Sequence, residues 1–151
     1  LVMVVHPFGK GSLTTDGVQY GAELTTSTDD YEGVGVQTIT APTGYTLEEI
    51  EFGLTMAVKS SGAGESVLWK FQASDAGTLW QDLIAEQTRA ASAAAYADVG
   101  ALGRFAPAGN FLGAGATFQV RGAIKSGAAA GETASGKMKN SSYILCTYRR
   151  T

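Results

Sequence analysis

The chain has 151 residues, of which 44% are hydrophobic and only 17% are charged, and its formal net charge is −3. An average globular chain is about 25% charged, so this composition excludes disorder driven by charge, a coiled coil and a strongly basic nucleic-acid-binding protein. No apolar run approaches the roughly 18 residues that a membrane helix needs. We therefore expect a single globular domain, with neither a nucleic-acid nor a membrane partner.

The N-terminal part of the chain contains two candidate strands. Residues 2–5 form a short apolar run, and residues 34–40 are rich in the β-branched side chains that favour strands. We assign residues 1–151 to one domain and regard residues 1–33 as a candidate extended N-terminal arm. No charged and apolar leader resembling a signal peptide is expected in this segment.

The clearest pattern lies between Leu47 and Lys59, where every second residue is apolar. This alternation is typical of a strand with one face in water. The same alternation returns over residues 67–73, after a small polar stretch at residues 60–65 that contains glycine. The sequence therefore predicts an antiparallel hairpin formed by these two strands.

The middle of the chain is less regular. After a turn at residues 74–77, residues 78–84 have the pattern of a further strand. Residues 85–98 contain many alanines, which favour a helix, whereas the neighbouring segments favour a sheet. We predict a strand over residues 91–99, and a long irregular loop over residues 100–116, which are rich in Gly, Ala and Pro.

The C-terminal part contains two more predicted strands and a second long loop. Residues 118–125 alternate as a half-buried strand, and residues 126–140 are small and polar enough for a loop. The last strand, residues 142–148, is apolar on both faces, with Tyr143 and Leu145 on one of them. A strand of this kind is covered on both faces, so we place it in the centre of the sandwich or under another subunit or segment.

Together these elements predict the fold class. About eight short strands with glycine turns, long Gly/Ala-rich loops and no long amphipathic helix indicate an all-β protein, an antiparallel β-sandwich of jelly-roll-like type. Sheet edges and the two long loops would supply contacts between subunits, because small side chains allow two backbones to approach closely.

The small net charge conceals an asymmetry along the chain. Residues 1–100 contain 13 acidic and four basic residues, a net charge of −9, whereas residues 101–151 contain seven basic residues and one acid, a net charge of +6. Interleaved strands of a sandwich would neutralise part of this difference within one subunit. The alternative is that acidic and basic patches pair head to tail between identical subunits. We favour the first interpretation.

Residues suited to catalysis are few. Cys146 is the only cysteine and His6 the only histidine. This excludes a disulfide or a Cys/His zinc site within one subunit, and it leaves a single base for any Ser-His-Asp triad. We predict that Cys146 is a small buried hydrophobic residue and that His6 lies in an extended lead-in. We expect no catalytic residues and no cofactor.

Two clusters of acidic residues are candidates for an acid–base pair and for a metal site. Glu49 and Glu51 share the wet face of their predicted strand at a separation compatible with a glycosidase pair, but we interpret them as surface charge. Asp29, Asp30 and Glu32 offer hard oxygen ligands of the kind that calcium prefers. They lack the spacing of an EF-hand loop, so we interpret them as a surface turn and expect no metal site.

The aromatic side chains divide into core and surface candidates. Trp69 and Phe71 lie on the apolar face of their strand and are predicted to be in the core. For Trp80 we also favour the core, with stacking on a sugar ring or anchoring of a protein contact as the alternative. Three tyrosines fall in predicted loops, namely Tyr20, Tyr31 and Tyr45.

The hairpin at residues 67–83, with the sequence VLWKFQASDAGTLWQDL, carries a W-K, Q, S-D, G, W and D-L pattern. It resembles a hairpin of β-sandwich virion proteins of tailed bacteriophages, although Ala76 stands where that family has a Gly directly after the Asp. The closing segment, residues 139–149, with residues 118–121 before it, is similar to the final strands of such proteins. The resemblance implies a jelly-roll-like sandwich that decorates or stabilises a capsid, or forms part of a fibre, and acts by binding.

The leading hypothesis is therefore a non-enzymatic structural protein located in the virion after synthesis in the host cytoplasm. It would form a homo-oligomer and contact the capsid or other virion proteins. The candidate interface or ligand residues are Trp80, Tyr143, Leu145, Arg149 and Arg150. The alternative is a carbohydrate-binding β-sandwich module that stacks a glycan on exposed aromatic rings, and a glycosidase built on the glutamate pair ranks third.

Overall fold

The computed structural model describes residues 1–7, 21–27, 30–61, 66–75, 79–90, 95–105, 117–127 and 132–151. In these segments the chain forms eleven β-strands and no helix. In chain order the strands are β1 (Val2–Pro7), β2 (Leu24–Thr26), β3 (Glu32–Thr40), β4 (Tyr45–Ser60), β5 (Ser66–Ser74), β6 (Gln81–Asp82), β7 (Gln87–Ala90), β8 (Ala97–Phe105), β9 (Thr117–Ser126), β10 (Ala134–Met138) and β11 (Tyr143–Arg150). Nowhere in these segments is there a helix long and apolar enough to cross a membrane.

The long strand β4 organises a six-stranded antiparallel sheet, the first sheet. One edge of β4 pairs with β11 along residues 45–53 and then with β10 along residues 56–60. Its other edge pairs with β8 along residues 50–58. β1 continues the sheet beyond β11, and β2 continues it beyond β10.

The second sheet has five strands in the order β3, β9, β5 and β6, with β7 pairing on the same strand β5. In both sheets some neighbours are distant in sequence, such as β11 beside β4 and β9 beside β3, as the jelly-roll-like prediction requires. The predicted all-β antiparallel sandwich is confirmed. Eleven described strands replace the eight that were expected.

The two sheets bury their facing sides in one core. The side chains with almost no exposure come from both sheets and are Tyr148, Phe71, Ile39, Ile50, Leu54, Met56, Ile124, Met138, Ile144, Val34, Val58 and Val67. Trp69 and Phe71 are buried, as predicted. At Gly122 of β9, an added Cβ would lie 2.9 Å from Sδ of Met56 and 3.0 Å from Sδ of Met138. Two methionines of the first sheet therefore fill the space above this glycine of the second.

The predicted hairpin between residues 47–59 and residues 67–73 is wrong. Both segments are strands, but β4 belongs to the first sheet and β5 to the second, so they do not pair. Instead, β4 pairs with β8, β10 and β11, whereas β5 pairs with β6, β7 and β9. Alternation identifies a strand and its inner face, but it does not say which sheet the strand joins.

Two strand predictions in the middle of the chain are wrong in extent. The strand expected over residues 78–84 is reduced to β6, which has two residues. The strand expected over residues 91–99 is displaced to β8, which begins at Ala97 and continues to Phe105. Residues 91–94 lie outside the described residues.

Both predicted long loops contain strand. Residues 100–105 belong to β8, and residues 134–138 form β10. Gly, Ala and Ser differ little in hydrophobicity, so alternation among them gives almost no signal. Within these predicted loops, residues 106–116 and 128–131 lie outside the described residues.

The last strand lies inside the first sheet, between β1 and β4. Ile144, Cys146 and Tyr148 of β11 are fully buried, while Tyr143 and Leu145 are partly buried on the opposite face. Cys146 is thus a buried residue as predicted, and burial raises the pKa of its thiol to about 11. The strand that is apolar on both faces is thus an inner strand of its sheet, with β1 and β4 on its two edges and the core on one of its faces.

Two strands within residues 1–33 join the first sheet, whereas Glu32 and Gly33 begin β3 of the second sheet. β1 pairs with β11 over six residues, and β2 pairs with β10 over three. His6 lies in β1 as part of this extended segment, and its Nε2 is buried without a hydrogen-bond partner in the described part of the chain. Burial lowers the pKa of His6 and so favours the neutral imidazole.

Candidate functional site

The outer face of the first sheet is built by the register of four adjacent strands. In one row, Val5 of β1, Leu145 of β11, Glu51 of β4 and Arg104 of β8 stand side by side. Val5 is 58% exposed and Leu145 is partly buried. The row is therefore apolar towards β1 and charged towards β8.

A second row lies beside the first. Tyr143 of β11 faces Gly53 of β4, which in turn faces Leu102 of β8. A Cβ at Gly53 would overlap the Tyr143 ring and lie 3.1 Å from Cδ2 of Leu102, so these two side chains meet over a position that glycine leaves open. We refer to the apolar side chains of this face as the apolar stripe, which consists of Met3, Val5, Leu102, Tyr143 and Leu145.

Arg104 binds both glutamates of the same face. Its Nη2 lies 3.1 Å from Oε2 of Glu51, and its Nε lies 3.4 Å from Oε1 of Glu49. A glycosidase needs one carboxyl group held protonated beside a second in a cleft. Here both carboxylates lie on a sheet face against one guanidinium, which supports their interpretation as surface charge.

Ion pairs connect the acidic and basic parts of the chain. In addition to Arg104, three basic residues pair with acids from the first part: Arg149 with Glu48, Lys139 with Asp98, and Lys125 with Glu86. Neutralisation within one subunit is thereby confirmed for these charges. Exposed pairs of this kind stabilise a fold by about 1 kcal/mol at most. Arg150 is exposed near the end of β11, opposite Tyr45 of β4.

Trp80 lies outside the core cluster, so its preferred assignment to the core is wrong. Its ring is partly buried beneath Arg121, whose guanidinium carbon lies 3.9 Å from the ring centroid. Nε and Nη2 of Arg121 donate hydrogen bonds of 3.1 and 2.9 Å to Oε1 of Gln72, which holds the guanidinium in place. One face of the indole is therefore occupied by a cation–π contact.

Tyr31 is held in a similar way. Nζ of Lys70 and Nζ of Lys125 lie 4.1 and 4.8 Å from its ring centroid, and its hydroxyl donates a hydrogen bond of 2.5 Å to Oε2 of Glu86. Burial, followed by the effect of Glu86, raises the pKa of Tyr31 far above its ordinary value. Sugar stacking needs a free ring face, and cations already cover ring surface on both Tyr31 and Trp80. The carbohydrate-binding alternative stays a prediction.

The weak metal candidates do not form a ligand set in the described residues. Asp30 is exposed in a bend before β3, Glu32 begins β3, and Asp29 lies outside the described residues. Across the described segments, no group of three or more His, Cys, Asp and Glu residues could hold a metal ion.

A groove with a volume of about 320 Å³ opens between the two sheets beside β8. Its wall is about equally apolar and polar: it contains the apolar side chains of Phe52, Leu83, Ile84, Leu102 and Phe105 and the polar side chains of Gln81, Asp82 and Arg104. The Phe52 and Phe105 rings lie 6.3 Å apart. Our sequence prediction missed this region because residues 100–105 fell in a predicted loop. The alternation in β8 between exposed and buried or partly buried residues is seen in the structure, whereas the small residues of this strand give almost no signal of it in the sequence.

Comparisons with known proteins add a weak likeness to a solved structure. No family model and no curated protein matches the sequence. Among solved structures, the chain is similar to one from the structure of the infectious bursal disease virus Gx strain, with 13% sequence identity and a TM-score of 0.40. The alignment covers 98% of this chain but only 42% of the other, so this chain spans less than half of its length. A TM-score this low does not establish a shared fold, and the fold class rests on the strands described above.

Proposed function

We propose that this chain is a non-enzymatic structural protein of a virus particle, which assembles with itself and with capsid or other virion proteins. In its more specific form, the proposal is a protein that decorates or stabilises the capsid of a tailed phage, or forms part of a fibre. The protein would be synthesised in the host cytoplasm and reside in the virion.

The apolar stripe carries this proposal. Met3, Val5 and Leu102 are 63%, 58% and 80% exposed on one outer sheet face, beside Tyr143 and Leu145. Contiguous exposed apolar surface marks sites of protein contact. The β-sandwich fold and the hairpin resemblance at residues 67–83 add support. Both carboxylates on the same face pair with Arg104, which is consistent with surface charge.

Particles purified from cells that carry this gene provide the test. Mass spectrometry of washed particles is expected to recover the chain in a fixed ratio to the main shell protein, with release by denaturant but not by nuclease. Met3→Ser with Val5→Ser changes two exposed side chains of the stripe and is expected to reduce incorporation severalfold. The matched control is Val36→Ser, a 49% exposed position of β3 in the other sheet. Absence of the chain from the particles, or equal incorporation of the stripe variant, would contradict the proposal.

A further inference from the structure

β8 is a long and regular edge of the first sheet. It pairs with β4 over all nine of its residues, without a shift in register. Among the described strands, none pairs with its other edge. An edge of this length presents a row of backbone N–H and C=O groups that can pair with a further strand.

The other described edge strands are shorter or interrupted. β3 also has nine residues, but its register shifts between Val34 and Gln37, and Gly35 in that stretch has a φ of 61°. β1 has six residues, β7 four, β2 three and β6 two. Short strands and bulges are devices that protect a sheet edge from pairing. β8 has neither device.

We propose that a second copy of this chain pairs with this edge, β8 to β8 and antiparallel, about a two-fold axis at Ala101. A two-fold axis makes the contact self-complementary. If one residue of the first copy contacts a second residue of the other copy, the same contact is made again with the copies exchanged. This inference rests on the proposed assembly role and names the partner that the edge accepts.

Charge selects the register. Asp98 and Arg104 both lie on the outer face of β8, three residues on either side of Ala101. Within one copy Asp98 also pairs with Lys139, and Arg104 with Glu49 and Glu51, so contacts across the axis would extend these pairs into a network. Centring the pairing at Ala101 places Asp98 of each copy opposite Arg104 of the other. The neighbouring registers that keep inner and outer faces aligned are centred at Gly100 or Leu102. Both of these registers separate the two charges.

Side-chain size supports the same register. On the outer face Leu102, which is 80% exposed, lies opposite Gly100 of the other copy. On the inner face Val99 lies opposite Gly103, so each of these larger residues meets a glycine. The glycines are also required within one copy, since a Cβ at Gly100 would lie 2.8 Å from the carbonyl oxygen of Leu54 and one at Gly103 would overlap the Phe52 ring.

The resulting dimer has one continuous sheet. It runs from β1 through β11, β4 and β8 of one copy into β8, β4, β11 and β1 of the other. Because the axis is perpendicular to the sheet, both apolar stripes lie on the same side of it. The pairing thus covers the exposed edge and doubles the apolar surface that the proposed function offers to other virion proteins.

A cysteine at the axis tests the register. Ala101→Cys places two thiols directly opposite each other, where Cα atoms of antiparallel strands lie about 4.5 to 5.5 Å apart, within disulfide range. Mild oxidation is expected to give a covalent dimer on a non-reducing gel. The matched control is Asp98→Cys. Residue 98 is more exposed than residue 101, but in the proposed register it lies far from residue 98 of the other copy. The native Cys146 is buried and is expected to stay unreacted in both variants.

Charge exchange provides an independent test by analytical ultracentrifugation. Asp98→Arg alone and Arg104→Asp alone each place like charges opposite one another, so each is expected to dimerise about tenfold more weakly than the unmodified chain. A mixture of the two variants restores both ion pairs between the copies, although the pairs with Lys139, Glu49 and Glu51 within each copy stay changed, and it is expected to give a heterodimer near the original affinity.

Three results would overturn the inference. First, the chain stays monomeric at millimolar concentration. Second, the chain dimerises but the Ala101→Cys variant forms no disulfide between copies. Third, mixing the two charge variants does not restore dimerisation. These experiments use the purified chain without particles. A dimer that forms as described in a chain that is absent from particles would uphold this inference and reject the proposed function.

Discussion

Gly122→Ala tests the packing of the two sheets against each other. The new Cβ would lie 2.9 Å from Sδ of Met56 and 3.0 Å from Sδ of Met138, well inside the ordinary van der Waals distance. Both methionines are fully buried. Overpacking of a filled core lowers the free energy of unfolding by about 1 to 3 kcal/mol. Replacing glycine also reduces the conformational entropy of the unfolded chain, which offsets about 0.5 to 1 kcal/mol of this loss. We expect a net destabilisation of about 1 to 2 kcal/mol, measured as a lower midpoint of urea unfolding with an unchanged m-value.

Two variants make this result specific. Met138→Val shortens one of the two side chains, so the double variant is expected to lose less stability than the sum of the single changes. Gly21→Ala is the matched control, because its nearest contact would be the carbonyl oxygen of Met138 at an ordinary 3.8 Å. If Gly122→Ala is as stable as the unmodified chain, or if Met138→Val does not compensate, the sheets do not meet at this glycine.

Three further predictions concern single side chains. Ser142→Ala removes the hydroxyl that accepts a hydrogen bond from the N–H of Thr55 and donates one to its C=O, both at 2.9 Å. Since the partly buried N–H is left without this acceptor, we expect a loss of about 1 to 2 kcal/mol in urea unfolding. Burial raises the pKa of Cys146 to about 11 from 9.0, so between pH 9 and 10 the unfolded chain loses this proton before the folded one. This thiol should therefore lower stability by about 1 kcal/mol between pH 9 and 10, and Cys146→Ala should remove that part of the fall. The part due to Tyr31 and Tyr148, whose pKa values are also raised, should stay. Arg121→Ala uncovers the Trp80 ring, so tryptophan emission should shift to longer wavelength, and an unchanged spectrum would contradict the cation–π contact.

Strong alternation made most of the sandwich predictable from the sequence. Residues 47–59 and 67–73 are strands with the predicted inner faces, because large apolar side chains alternate there with polar ones. The pairing of these strands was not predictable, since strand order depends on contacts between segments distant in the chain. β8 and β10 were missed because small residues dominate them. Because β8 was missed, Leu102 and Arg104 of the candidate surface were not among the predicted site residues. The two-faced pattern of β11 did make Tyr143 and Leu145 candidates, and their role stays a prediction.

Amide hydrogen exchange along β8, measured by NMR at increasing protein concentration, tests the central claim most directly. Amides of β8 that bond to β4 are expected to be protected at every concentration. Amides that point to the other edge are expected to exchange quickly in dilute solution and to become protected as dimers form. Rapid exchange of these outer-edge amides at all concentrations, or full protection in a solution of monomers, would contradict the assembly of this protein through β8.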